Sequence, residues 1–175
     1  SMLAVELLIV LVLTFVNGFF SMSEMAIVSA RRVRLEAMAE AGSIGARRAL
    51  ELGQEPSRFL SAVQIGITLV GVGAGAFGTA TLGQKLAEYL DTFPLIARYA
   101  EPVAYTTVVL GITFLSIVLG ELVPKRIALA YPETIAARVA RPISAIAAAA
   151  RPFVVLLSAS TAMILRFLRI RRERD

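Results

Sequence analysis

The stretch ISAIAAAARPFVVLLSASTAMIL, residues 143–165, decides the fold. It is long enough to cross a bilayer, which takes about 20 apolar residues in a helix. Arg151-Pro152 stands at its middle. An arginine at the bilayer centre costs at least about 2.5 kcal/mol on insertion scales. Pro152 also removes a backbone donor from any helix that runs through it. The stretch therefore reads as parts of two shorter helices, about 133–150 and 152–168, lying at or within one leaflet. The first places Ile135, Val139, Ile143 and Ile146 at helical spacing, with Arg138 and Arg141 elsewhere on the circle. That pattern suits a helix in the membrane interface.

Outward from this stretch, three segments read as true crossings: about 3–28, 59–82 and 103–123. The first is too long for the apolar core of a secretory signal, has no basic flank before it and carries Glu6. Within the second, GVGAGAFG (71–78) contains the pair Gly71 and Gly75, which predicts close approach of helix backbones. Residues 30–53 read as a helical connector, with Gly42 and Gly45 as the breakers.

Charge orients these segments, because cytoplasmic loops collect Lys and Arg. Loop 29–58 holds six arginines against four glutamates, whereas 84–102 holds two bases against three acids. From Glu121 onward there are ten bases and four acids, ending in Arg166, Arg169, Arg171, Arg172 and Arg174. Three crossings, with the N-terminus outside and the C-terminus in the cytoplasm, satisfy every loop; a fourth crossing would export the basic tail. The expected location is the inner (plasma) membrane. The fold class is an all-α membrane protein of three transmembrane helices plus cytoplasmic-side juxtamembrane helices, in one domain spanning 1–175.

Composition agrees. Of 175 residues, 57% are apolar and 18% charged, and mean hydropathy is +0.75. A disordered chain, a disulfide scaffold and a soluble nucleic-acid binder are excluded. The net charge of +5 belongs to the inner segments. The chain has no Cys and no His. Zinc, haem, iron–sulfur and thiol chemistries lose their ligands, and any metal held here must accept oxygen. Ser1-Met2 reads as a remnant before a start Met, and the charged end as a cut within a longer protein.

Polar residues inside spans are expensive, so each is a candidate. Asn17, Ser21 and Glu24 fall at i, i+4 and i+7 on one face of the first span, with Ser23 about 100° away. Ser57, Ser61, Gln64 and Thr68 make a stripe on the second, and Thr113, Ser116 and Gly120 one on the third, followed by Glu121. Any single hydroxyl is ordinarily bonded to its own helix. Three stripes together predict an oxygen-lined pocket. In GELVPK (120–125), Pro124 deprives the Gly120 carbonyl of its i+4 donor, beside the Glu121 carboxylate. That combination suits a hard cation. The competing reading pairs Glu121 with Lys125 as a local ion pair.

Residues 17–27 (NGFFSMSEMAI), 57–69 (SRFLSAVQIGITL) and 120–125 (GELVPK), in this order and spacing, resemble the transmembrane domain of the CorC/CNNM (cyclin M) family, also called DUF21. The resemblance covers nearly the whole chain. It implies a Mg2+ efflux transporter exchanging Mg2+ for Na+ as coupling ion. It also implies a homodimer whose cytoplasmic CBS-pair domain follows the membrane part. The family's metal-site motifs map onto Asn17, Ser21, Ser23, Glu24, Ser61, Gln64, Gly120 and Glu121, with Glu121 the first choice for site charge and Glu24 the second. The other function class is a membrane anchor or dimerisation module that senses Mg2+, or scaffolds a cytoplasmic domain, without transporting. No enzyme is expected, because the spans hold neither His nor Asp.

Overall fold

A computed structural model describes residues 2–169; Ser1 and 170–175, including the basic end at Arg171, Arg172 and Arg174, lie outside the described residues. Every regular element described is helical. The chain opens with α1, Met2–Ser29, a nearly unbroken apolar run. Two of its hydroxyls are satisfied along its own backbone: Thr14 Oγ1 donates to the Val10 carbonyl at 2.8 Å and Ser23 Oγ to that of Phe19 at 2.7 Å. Such back-bonding lets a hydroxyl sit in an apolar span.

The connector is two helices, α2 (Arg32–Glu40) and α3 (Ile44–Gln54). Gly42 takes a positive φ of 106° between them, a conformation glycine adopts without strain. Ser43 then caps α3, its Oγ accepting from the Ala46 N–H at 3.1 Å. Of the two glycine breakers read from sequence, Gly42 makes the turn. Gly45 instead serves packing. A Cβ there would overlap the carbonyl oxygen of Ala137, so its absence lets α3 touch the backbone of the later helix α8 (Pro132–Ala149).

The second crossing is α4 (Pro56–Gly78), a π turn (Thr79–Gly83) and α5 (Gln84–Leu90). The third is α6 (Ala100–Ile117), a π turn (Val118–Leu122) and α7 (Val123–Ala130), entered through a 3-10 turn at Ala97–Tyr99. Each runs continuously, from Pro56 to Leu90 and from Ala97 to Ala130. Both are longer than their apolar cores, since the helices carry on through polar residues beyond the hydrocarbon. Among the described residues three helices are thus long and apolar enough to cross a membrane, and the bent pair Pro132–Ala149 with Arg151–Phe167 meets the same test only if taken together as one broken span.

α8 and α9 (Arg151–Phe167) meet at a 62° bend. The break falls at Ala150, immediately before Arg151-Pro152. Pro56, Pro132 and Pro152 each sit in the first turn of a helix, where the missing N–H is not needed.

α1 is central, packing on α4, α7, α8 and the second π turn. The core lies at the arginine-rich end, where Phe20, Ile27, Phe59, Val63, Val139 and Ile143 interlock with a layer of alanines on α3 and α8. At the opposite end Lys85 pairs with Glu6 at 2.7 Å, so the start of α1 and the start of α5 share one side of the bundle. The first and second crossings therefore run antiparallel. Gly71 and Gly75 do not mediate the close packing read from sequence: a Cβ at either meets nothing within 4 Å in this chain. The crowded glycines of this crossing are Gly66, where a Cβ would stand 3.0 Å from the Phe20 ring, and Gly78 and Gly83, where a Cβ would overlap the side chains of Ile112 and Tyr105.

Gly45→Ala should destabilise the domain by about 1–3 kcal/mol, since its Cβ meets backbone that has no rotamer to yield. Gly53→Ala, in the same helix with open space around it, should be neutral or stabilising. Thermal unfolding of both variants in detergent checks the contrast.

Candidate cation site

The site begins with a defect in the third crossing. Pro124 has no N–H, and the helix absorbs this as a π turn, with the Val123 N–H reaching back to the Val118 carbonyl. α1 closes on that turn through Gly18. A Cβ at Gly18 would stand 2.9 Å from the Leu119 carbonyl oxygen and 3.0 Å from Pro124 Cγ. This approach carries Asn17 to the Gly120 carbonyl, to which its Nδ2 donates at 3.3 Å. The carbonyl released by Pro124 is therefore met by a side chain from α1. A Cβ at Gly120 would lie 2.7 Å from Asn17 Nδ2 and displace the side chain that makes this bond.

Asn17, Ser21 and Ser23 are buried. Asn17 Oδ1 and Ser21 Oγ have no hydrogen-bond partner among the described residues. One turn of helix separates them, roughly 6 Å along the axis. A buried unpartnered polar atom costs about 1–3 kcal/mol, and here two sit on one face at membrane depth. Ser23 points its proton at the Phe19 carbonyl and keeps its lone pairs.

One further turn along α1, Glu24 accepts a hydrogen bond from Gln64 Nε2 at 3.3 Å. That contact joins the stripe on α1 to the stripe on α4. Ser61, one turn from Gln64, is exposed and lines a groove of about 690 Å³ between α4 and α9, with Ser158, Thr161 and Arg166 on the far wall. Glu121 faces elsewhere. It lines a cleft of about 250 Å³ between α4 and α6, with Gly71, Gly75, Thr79, Thr113 and Ser116. The ion pairs among the described residues do not include Glu121 with Lys125.

The structure joins Asn17 to Gly120 and Glu24 to Gln64, with Ser21 on the same face of α1 between them; it leaves Ser23 bonded to its own helix on another face, and sets Ser61 and Glu121 in adjoining grooves. The described residues contain no group of three or more His, Cys, Asp or Glu close enough to hold a metal. Ion binding at α1 would rest on neutral oxygens with one carboxylate. Sequence reasoning assigned no role to Gly18 or Glu133. Glu133, buried on α8, accepts the Arg31 N–H at 3.3 Å and fixes the start of α2 under α1. Its position immediately after Tyr131-Pro132, at a helix start, was the available signal.

These features define a helical membrane domain of three crossings whose helices meet at a polar π turn. The chain belongs to the cyclin M family: residues 7–175 match the cyclin M transmembrane N-terminal domain. It is similar to a UPF0053 protein of Synechocystis sp., 52% identical over 166 residues, covering 95% of this chain and 37% of that protein. It is also similar to the polyamine export protein of Haemophilus influenzae, 30% identical over 130 residues, 74% of this chain and 30% of that one. The polyamine export protein of Escherichia coli K12 is 30% identical over 137 residues, 78% and 30% of the two chains. The chain spans about a third of the length of these relatives. The family is one of transport-related membrane proteins.

The site makes a stability contrast. Asn17→Leu strands the Gly120 carbonyl and should cost about 1–3 kcal/mol. Ser21→Ala removes a hydroxyl without a partner among the described residues, so unfolding in detergent should show it as stable as the parent or more so.

Proposed function

We propose that this domain carries Mg2+ out of the cell, with Na+ as the coupling ion, through the oxygens gathered along α1. The observation that carries the proposal is the pair of buried, unpartnered oxygens, Asn17 Oδ1 and Ser21 Oγ, beside the π turn. A span tolerates such atoms when something else satisfies them. Mg2+ prefers oxygen ligands and keeps several waters. A neutral-oxygen face with Glu24 at one end suits a partly hydrated ion. Asn17, Ser21 and the Gly120 carbonyl supply the face, with the Ser23 hydroxyl buried on another side of α1; Glu24 with Gln64 marks the arginine-rich end of the face. Glu121 and Ser61 stand in the flanking grooves as entrance or exit groups. In this reading the arginine-rich end is cytoplasmic, the N-terminus lies outside in the inner membrane, and two copies form a homodimer above CBS-pair domains.

A second reading is favoured by the names of two relatives. Export of an organic polycation would use Glu24 and Glu121 as successive partners for ammonium groups and would leave the neutral oxygens as hydrogen-bond acceptors. A membrane anchor without transport explains neither the orphan oxygens nor the π turn.

Flux separates these readings. Protein in liposomes should move Mg2+ down its gradient, and Ser21→Ala and Glu121→Ala should each lower that flux about tenfold or more while remaining folded. Full Mg2+ flux in Glu121→Ala removes Glu121 from the pathway. Polyamine flux without Mg2+ flux selects the second reading, and no flux of either selects the anchor.

Orientation has its own test, made simple by the absence of native Cys. A single Cys at Leu95, which is 96% exposed, should react with an impermeant maleimide added to intact cells. A single Cys at Gly42 should react only after permeabilisation.

A further inference from the structure

The arginine-rich end of the bundle holds a polar feature that the cation site does not use. Arg48, Glu51, Glu55 and Arg58 follow one another at three- and four-residue spacing across the junction of α3 and α4. Opposite them, Ser144, Arg151 and Val155 stand seven and four residues apart around the α8–α9 corner. The two stripes form opposite walls of a groove of about 560 Å³.

Charge across this groove is uneven. Arg48 pairs with Glu51 at 3.0 Å and Arg58 with Glu55 at 3.7 Å. No acidic group among the described residues pairs with Arg151. Three arginines against two glutamates leave the lining at +1. Ser144 Oγ is buried without a hydrogen-bond partner and lines the same groove. The remaining wall is apolar, from Phe59 on α4 and from Val154 and Val155 on α9. A guanidinium matches the oxygens of a phosphate, and a hydroxyl adds a donor. Acyl chain fits beside valine and phenylalanine. A phosphate group at one end of an apolar groove, where a span emerges, is the chemistry of a phospholipid.

We propose that this groove binds one anionic phospholipid. Its phosphate is held by Arg151 with Arg58 and the Ser144 hydroxyl, and its acyl chain lies along Val154, Val155 and Phe59. The surplus positive charge selects a headgroup with net negative charge over a zwitterionic one. The bound lipid also gives α9 a partner. That helix buries no residue of its own and packs chiefly on α4 and α8. Lipid bridging the α3–α4 junction to the α8–α9 corner holds α9 against the bundle, and the headgroup compensates an arginine inside an apolar run. Free phosphate shares the headgroup chemistry but lacks the chain. The proposal stands apart from the transported ion, since none of the groups it uses lies on the α1 face.

The test uses the purified protein in detergent. Its thermal unfolding is followed with added phosphatidylglycerol, with phosphatidylcholine of the same chains, or with inorganic phosphate, and retained lipid is read by native mass spectrometry. Phosphatidylglycerol should raise the unfolding midpoint and remain bound; the other two should do neither. Arg151 is exposed, so Arg151→Gln keeps the fold and should weaken the phosphatidylglycerol response about tenfold in apparent affinity, the effect of one lost charge-assisted contact. Arg58→Gln should weaken it in the same direction. Arg47→Gln, on α3 but outside the groove, should leave it unchanged. Equal stabilisation by phosphatidylcholine or by inorganic phosphate overturns the proposal, as does parental lipid affinity in both Arg151→Gln and Arg58→Gln.

Discussion

The contact of α1 with the π turn at Val118–Leu122 is the constraint on which the rest of the bundle depends. Three sequence features meet there. Pro124 takes away a donor, Gly18 lets the α1 backbone come within reach, and Asn17 supplies the donor that the helix lost. The exchange replaces a hydrogen bond within one helix by a hydrogen bond between two. In a bilayer, where lipid offers apolar surface as freely as another helix does, such a bond fixes register more firmly than apolar packing alone. Ser21, one turn from Asn17, lies on the same buried face of α1. The shape of the candidate site is thus a consequence of a packing requirement, and its polar atoms are held by the helices that define the fold.

The arginine-rich end follows a different rule. There the bundle widens into α2, α3, α8 and α9, and the helices come together through alanine and glycine. Ala46 and Ala49 of α3 face Ala136 and Ala140 of α8, and Gly45 touches the Ala137 carbonyl. Small side chains bring amphipathic helices close without a large apolar core, so arginines can occupy the outer faces. Glu133, buried beside α1, ties this layer to the span through the Arg31 N–H. One side of α1 therefore meets the crossing helices, and its end meets the interfacial layer.

Much of this was legible in the sequence. Arg151-Pro152 placed the α8–α9 break to within a residue because insertion cost and proline geometry act locally. The three long apolar helices and the two shorter helices that follow them were legible from length and from the placement of Arg and Pro. The freed Gly120 carbonyl was also legible, since the proline rule points at a specific atom. What escaped was everything that depends on which helices face each other. Gly71 and Gly75 fit a packing motif by spacing, yet the chain folds with open space beside them and uses Gly66 and Gly78 instead. Stripes on separate helices show which residues share a face but not where that face turns. Hence Gln64 meets Glu24, while Ser61, on the same stripe, opens toward α9.

The separation of the two carboxylates has a physical consequence for any cation at α1. Glu24 lies beyond Ser21 toward the arginine-rich end, and Glu121 faces the α4–α6 cleft. Two carboxylates converging on one ion would bind it tightly and slow its release. Neutral oxygens bind less strongly and leave water in the ion's shell. Conduction and transport both need binding that is favourable enough to admit an ion and weak enough to let it leave. A face of amide, hydroxyl and carbonyl oxygens, with charge held at its margins, meets that requirement. In the proposed transport reading, the carboxylates attract the ion to either side of the bundle and the α1 face holds it only in passing.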